Sequence, residues 1–275
     1  MASFTTTTHD KFIPEVWSKE AQLARESRLY MANKVDRFDV EFAGGGDLLH
    51  IPKVANLTAS DISNDGSLTD TAPTETEATI TINKWKGLSI NVPDILKAQS
   101  KLDLMKIYTE KIGFALAVAV EDDLLTLYDG LSQNVGTASV DITDAVFRSA
   151  VQKLDEANAP FEDRYLIIKP SQKNALLGID KFVRYDAVAR SAGDSPIVKG
   201  MLGEIYGVQI MVSNRVETNS ATENIMWHKS AFGLAMVKDV KMEQFARTQF
   251  SDRMGSSELY GVAELRDDHA VQVRS

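Results

Sequence analysis

Hydrophobic and polar positions alternate with two different periods along this chain, and the period switches several times. Residues 14–31 carry Val16, Trp17, Ala21, Leu23, Ala24 and Met31 as one apolar stripe, with Glu15, Lys19, Glu20, Arg25 and Glu26 mostly elsewhere. That spacing predicts an amphipathic helix. Pro14 opens it, where a missing N–H costs nothing. The preceding dozen residues, with four consecutive threonines, predict a mobile arm. Trp17 on this charged helix has two readings, docking onto its own domain or onto a neighbouring chain. Phe38, Val40 and Phe42 then alternate with Asp39 and Glu41, the period of a half-buried strand. Gly44-Gly45-Gly46 breaks the pattern. DLLHIPKV predicts a second strand, which Pro52 places at a sheet edge. A third begins near Ala78 in ATITINKWKGLSINV, with Ile80, Ile82, Leu88, Ile90 and Val92 in one phase.

The second and third strands are separated by ANLTASDISNDGSLTDTAPTETE, a run of small polar and acidic residues. A structureless loop of about twenty residues inside a compact domain is uncommon and usually functional. Two strands flanking such a tip predict a projecting β-hairpin. A hairpin alone cannot bury both faces, so this one implies a partner surface.

The strongest helical pattern follows. Ser100 and Asp103 resemble a capping box, although Glu or Gln is preferred at the later position. Met105, Tyr108, Ile112, Leu116, Val120, Leu124 and Leu127 then recur at helical spacing until Gly130. About 27 residues at ~1.5 Å each predict a rod of roughly 40 Å. Its apolar middle implies burial on several sides. Beyond it, TDAVFRSAVQKLDEAN predicts a helix stopped at Asn158-Ala159-Pro160. RYLIIKP predicts a buried strand, SQKNALLG a short helix, and GMLGEIYGVQIMVSNRV a glycine-marked turn entering a strand at Val208–Val212. The last fifty residues read as strands joined by short turns. The fold class is α+β, with no internal repeat, heptad pattern or low-complexity linker.

Composition narrows the function. Hydrophobic residues make up 44% and charged residues 25%, which describes a globular chain rather than a disordered or collagen-like one. The net charge of −9 argues against a nucleic-acid enzyme with a large basic face. With no cysteine, thiolate nucleophiles and disulfides are excluded. The N-terminus carries no apolar run of signal length, and Ile112–Val120 is too short to span a bilayer. Synthesis in the cytoplasm is expected.

Candidate chemistry is sparse. Gly44-Gly45-Gly46 lacks dinucleotide spacing, and Gly200, Gly203 and Gly207 do not open a long helix. Glu121-Asp122-Asp123 on the long helix cannot pair among themselves, because adjacent helical residues do not face one another; a solvated or interface face is expected. Asp267-Asp268-His269 is expected to be a surface turn rather than a cation site. His9, His50, His228 and His269 show no HExxH spacing, and His228 after Trp227 is expected to be a hydrogen-bonded structural histidine. No GxSxG elbow occurs. No catalytic, cofactor-binding or metal-ligating residue is assigned.

The order of these parts resembles the major capsid proteins of tailed bacteriophages, which share the Hong Kong 97-type shell fold. FIPEVWS, then DLLHIPKV leading into a polar loop, then ITINKWKGLSINVPDILKAQS, resemble the family's N-arm and extended loop. KIGFALAVAVEDDLL is similar to its spine helix. GMLGEIYGVQIMVSNRV is similar to the glycine-marked turn and strand of its axial domain, and MWHKSAFGLAMVKDVKMEQFARTQF to its closing segment. The resemblance spans nearly the whole chain in the right order. It implies an N-terminal arm at 1–33, a strand and extended β-hairpin loop at 34–99, and a spine helix of the peripheral domain at 100–131. A mainly axial domain at 132–225 and peripheral-domain strands at 226–275 would follow.

The resemblance also implies a non-enzymatic subunit that self-assembles, as hexamers and pentamers, into an icosahedral shell around packaged double-stranded DNA, without sequence-specific binding or a membrane. Pro14, Trp17, Leu57, Asp61, Leu68, Glu75 and Glu77 are the expected intersubunit contacts. A separate scaffolding protein is expected, since the chain starts directly at the arm; a portal protein and a decoration or cement protein are further implied partners. Some relatives cross-link a loop lysine to a neighbour's asparagine. Here Thr58–Glu77 holds no lysine; Lys53 and Lys84 flank the loop and Lys86 lies beyond. An encapsulin-type compartment shell and a soluble α+β enzyme are the alternatives.

Overall fold

The computed structural model describes residues 29–39, 46–54, 57, 59, 61–62, 72, 75–95, 104–179, 203–238, 243–244 and 250–275. The predicted arm helix from Pro14, the Ser100–Asp103 cap and most of the polar loop lie outside these residues.

A six-stranded sheet and a five-stranded sheet, with a separate two-stranded ribbon, organise the described chain. The ribbon joins β2 (Leu48–Lys53) to β3 (Thr76–Thr81) in antiparallel register, with Pro52 opposite Glu77. Pro52 thus occupies an edge, as its missing N–H requires. The apolar phase of the ribbon, Leu49, Ile51, Ala78 and Ile80, packs with Ala235 and Leu265. Its other face, carrying Leu48, His50, Glu77 and Thr79, is exposed.

Two sequence expectations need correction here. The single third strand is two strands, because after β3 the chain leaves the ribbon at Ile82-Asn83. It resumes as β4 (Lys84–Pro93), which pairs along its whole length with β12 (Ser251–Glu264) in the five-stranded sheet. Except at Leu88, which is exposed, the even phase stays inward across the break, so the alternation alone hid it. Of the expected strand at Phe38–Phe42, Phe38 and Asp39 are not in a strand; the described strand is β1 (Asp36–Arg37), parallel to β10 (Phe232–Lys238). Phe38 sends its N–H to Leu234 O at 2.9 Å and ends that pairing; Val40 and Phe42 lie outside the described residues.

The same sheet carries β11 (Glu243–Gln244) on β12. The helix α1 (Leu104–Leu125) lies across β4 and β12, with Ile112 and Leu116 packed against Ile90, Val92 and Met254. It is shorter than predicted. The last turn, Thr126–Gly130, tightens to a 3-10 helix before Gly130, a common way to finish a helix. Burial on several sides is also corrected. Ile112, Leu116, Val120 and Leu124 are buried, whereas Ile107, Phe114 and Val118 are half-buried and Ala115 is exposed. Within one chain, only one side of the apolar rod is fully covered.

The six-stranded sheet orders β5 (Asn134–Gly136), β13 (Ala270–Arg274), β9 (Glu223–His228), β6 (Arg164–Ile168), β8 (Val208–Val212) and β7 (Glu204–Ile205). β7 and β8 meet across Tyr206-Gly207, with φ of 51° and 75°. Two positive φ values define the tight hairpin turn that favours glycine second. The helices α2 (Asp144–Glu156) and α3 (Pro170–Leu177) cover one face, burying Phe147, Leu154 and Leu176 against Leu166, Ile168 and Val271. The other face places Tyr165, Ile167 and Trp227 against α1's Val120 and Leu124. A strand buried on both faces reads as a continuous apolar run, which is why RYLII was legible.

Residues 226–275 do not stay in one sheet. β10 and β12 belong to the five-stranded sheet, while β9 and β13 belong to the six-stranded one. The described chain therefore passes between the two sheets at 131–133, at Lys229–Ala231 and at Asp267–His269. All three passages are tied together. Ala231 O accepts the N–H groups of Leu265 at 2.7 Å and Arg266 at 3.1 Å, and Asp267 accepts the Ser132 N–H at 2.8 Å. Among the described residues no helix is long and apolar enough to cross a membrane.

Candidate functional site

The three successive carboxylates at the end of α1 each take a separate direction. Neighbours on a helix point about 100° apart, so a run of three reaches three different parts of the molecule. Glu121 is fully buried and accepts the backbone N–H of Tyr30 at 3.0 Å and of Met31 at 2.8 Å. Burial pushes its carboxyl above the ordinary value of 4.5, against the lowering effect of those N–H groups. Asp122 takes a two-point ion pair from Arg215, in the turn after β8, with Nε at 2.7 Å. Asp123 accepts the Tyr260 hydroxyl at 2.6 Å and has the Lys84 and Lys86 ammonium groups each 3.6 Å away. The expected solvated or interface face is therefore corrected. This cluster is an internal anchor that joins α1 to the entering N-terminal segment and to both sheets.

That entering segment is held a second time. Trp227, fully buried, donates its indole N–H to Lys34 O at 3.0 Å, and the Lys34 ammonium sits 4.6 Å over the Tyr165 ring. Beside it, Asn33, Val35, Asp36, Arg37, Phe38 and Lys229 line a groove of about 470 Å³. Residues 30–34 are thereby held to the body of the subunit by Glu121 and Trp227.

The sequence-predicted contact residues divide. Pro14, Trp17 and Leu68 lie outside the described residues. Leu57, Asp61, Glu75 and Glu77 are all exposed, and Glu77 Oε2 stands 3.1 Å from His50 Nδ1 on the ribbon's outer face. In the same segment Val54, Leu57 and Ile62 are 80%, 70% and 65% exposed. Sequence reasoning missed Trp85, which is 77% exposed on the outer face of β4. Its odd position, out of phase with Ile80, Ile82, Ile90 and Val92, was the available signal. Phe161 and Phe250, 73% and 84% exposed, had no such signal.

His228 is hydrogen-bonded, its Nδ1 2.8 Å from Ser230 Oγ. Asp267–His269 is a turn as expected, but its histidine is buried rather than at the surface.

The known proteins that this chain resembles fit an assembly surface better than a reaction centre. A family model described as phage capsid protein matches residues 75–264. The major capsid protein of Staphylococcus phage phiMR11 is 27% identical over 266 residues, covering 96% of this chain and 93% of that protein. Among solved structures, a chain of Mycobacterium phage Che8 superposes with a TM-score of 0.81 at 24% identity, covering 95% of this chain and 97% of its own. The head structure of Helicobacter pylori bacteriophage KHP40 gives 0.78 at 12% identity, covering 100% and 98%. The fold is thus of the Hong Kong 97 type.

Proposed function

This chain belongs to the phage capsid protein family, and from that premise we propose how its copies meet. It is a major capsid protein of the virion, and copies of it form the icosahedral shell of a tailed bacteriophage. The family is structural, which supports a non-enzymatic role, and the encapsulin and enzyme alternatives gain no support.

The loop between β2 and β3 contacts a neighbouring subunit. The observation carrying this is the exposure of Val54, Leu57 and Ile62 after β2, while the inner face of the ribbon itself is already packed on its own body. Large apolar side chains exposed in one loop have little to gain from solvent, and exposed apolar surface marks interaction sites. Trp85 extends the same argument to the outer face of β4. Asp61, Glu75 and Glu77 supply polar contacts around these apolar anchors, and Pro14, Trp17 and Leu68 belong to the same reading through the family resemblance.

The six-stranded sheet with α2 and α3 forms the axial unit, and the five-stranded sheet with α1 the peripheral unit. A core under α2 and α3 and another between α1, β4 and β12 support this division, while a third core, shared by α1 and both sheets, joins the two units. Hexamers and pentamers, a separate scaffolding protein, a portal protein and a decoration protein complete the assembly. An interior facing double-stranded DNA would not grip it, given the chain's net charge of −9. Deleting Ser60–Ala72 tests the loop's role. The expected product is a folded subunit, with native far-ultraviolet circular dichroism, that makes no particles in electron microscopy. Normal particles from the deletion would overturn it.

A further inference from the structure

Two of the three passages between the sheets meet at a pair of imidazoles. Ser230 lies in the turn from β9 to β10, and His269 in the turn from β12 to β13. Ser230 Oγ is 2.8 Å from His228 Nδ1 and 2.9 Å from His269 Nδ1, and the two rings meet edge to face with centroids 5.7 Å apart. The backbone N–H of Ser230 also points at His228 Nδ1, at 3.2 Å.

Proton counting constrains this arrangement. A hydroxyl has one proton to give. The Ser230 N–H requires a lone pair on His228 Nδ1, so His228 is the neutral tautomer with its proton on Nε2. If the hydroxyl donates to His228, it accepts from a protonated His269 Nδ1. Were it to donate to His269 instead, two lone pairs would face each other at 2.8 Å between Ser230 Oγ and His228 Nδ1, so the closed form has the hydroxyl donating to His228. A proton on His228 Nδ1 sets a donor against the Ser230 N–H and ends that bond, and it turns the Ser230 hydroxyl from donor to acceptor at His228.

We propose that His228, Ser230 and His269 form a proton-sensitive latch on the joint between the two sheets, closed while His228 is neutral and opened by acid.

The charged surroundings are mixed. Asp36 of β1 and Lys229 of the turn form an ion pair at 4.0 Å, and Asp163 and Arg164 face the site from the start of β6. Arg266 and Asp268 face it from the β12–β13 turn, where Asp267 is held by Ser132. Burial is the largest influence, and it holds both imidazoles below the ordinary value of 6.5. The sign follows. An opened or unfolded form, with pKa values nearer 6.5, binds protons that the closed form refuses, so the closed form loses stability as pH falls below about 6.5.

Hydrogen exchange on the full-length protein tests this, at pH 7.5 and 5.5, with rates corrected for intrinsic pH dependence. Peptides covering 225–234 and 263–271 should lose more than twofold in protection at pH 5.5, with about tenfold the ceiling for one imidazole, while peptides of α2 hold theirs. In the double variant H228N/H269N, the amide oxygen introduced at position 228 can accept the Ser230 N–H, and neither replacement can take up a proton. Protection should therefore persist at pH 5.5. Wild-type protection unchanged within twofold, or acid loss spread evenly over the chain, would overturn the latch. So would an equal local loss in the double variant. Should that variant fail to fold, the wild-type comparison decides alone.

Discussion

Tyr260 and Asp123 join the centre of β12 to the end of α1, the buried phenol donating to the carboxylate at 2.6 Å. Burial and the neighbouring carboxylate push the phenol's pKa well above its usual value. Tyr260→Phe removes a hydrogen bond to a charged group, an effect of about 1.5–3 kcal/mol. Calorimetry of the purified subunit should show that loss. Combining it with Asp123→Asn should add much less than the sum of the single changes, because the two act on one contact. Strict additivity would mean that the pair does not couple helix and strand.

Glu121 gives a pH dependence of defined sign. Its folded carboxyl titrates above 4.5, so between 4.5 and that raised value the folded state holds a proton that the unfolded state has lost. Stability from this group is greatest below 4.5 and declines as pH rises through the raised value. The melting-temperature difference between wild type and Glu121→Gln should shift against wild type over that interval. A difference that stays constant, or shifts in wild type's favour, contradicts the buried anchor.

Gly261 marks where the ribbon meets the sheet. A Cβ there would stand 2.3 Å from Thr81 O and 3.1 Å from the Ile82 side chain. The first obstacle is backbone and cannot rotate away. Gly261→Ala should lift the ribbon base and cost about 1–3 kcal/mol as overpacking. Particle yield should fall with it, and an unchanged melting temperature would show that the ribbon is not seated on β12.

Covalent cross-linking of the shell is not expected. Thr58–Glu77 holds no lysine, and the amines of Lys84 and Lys86 lie against Asp123 on the inward phase of β4. Particles boiled in denaturing detergent should release one band near 30.3 kDa. A ladder of higher multiples would point to Lys53, half-buried at the end of β2, as the reacting amine.

The legible parts of this fold were those with local periodicity. Ile112, Leu116, Val120 and Leu124 gave α1 its phase, and the unbroken run of β6 announced burial on both faces. The pairing of β2 with β3 on either side of the polar segment was legible from the two alternating runs. The carboxylate anchor was not, although adjacency rightly excluded pairing among the three. Their partners Tyr30, Arg215 and Tyr260 lie 91, 93 and 137 residues away, beyond any spacing rule. The ribbon-to-sheet break at Ile82-Asn83 was hidden because both sides keep the same inward parity. Sheet membership of β9, β10, β12 and β13 depends on long-range pairing, which alternation cannot assign.

The three bound passages between the sheets change what a cut in the chain would do. A joint made of one linker fails when that linker is nicked. Here a protease that severs the Lys229–Ala231 turn leaves two covalent crossings and their mutual hydrogen bonds in place. The fragments should migrate separately only after denaturation, and the nicked subunit should still travel as one body. The same redundancy makes that turn a place where new chain ends could be engineered without parting the two sheets.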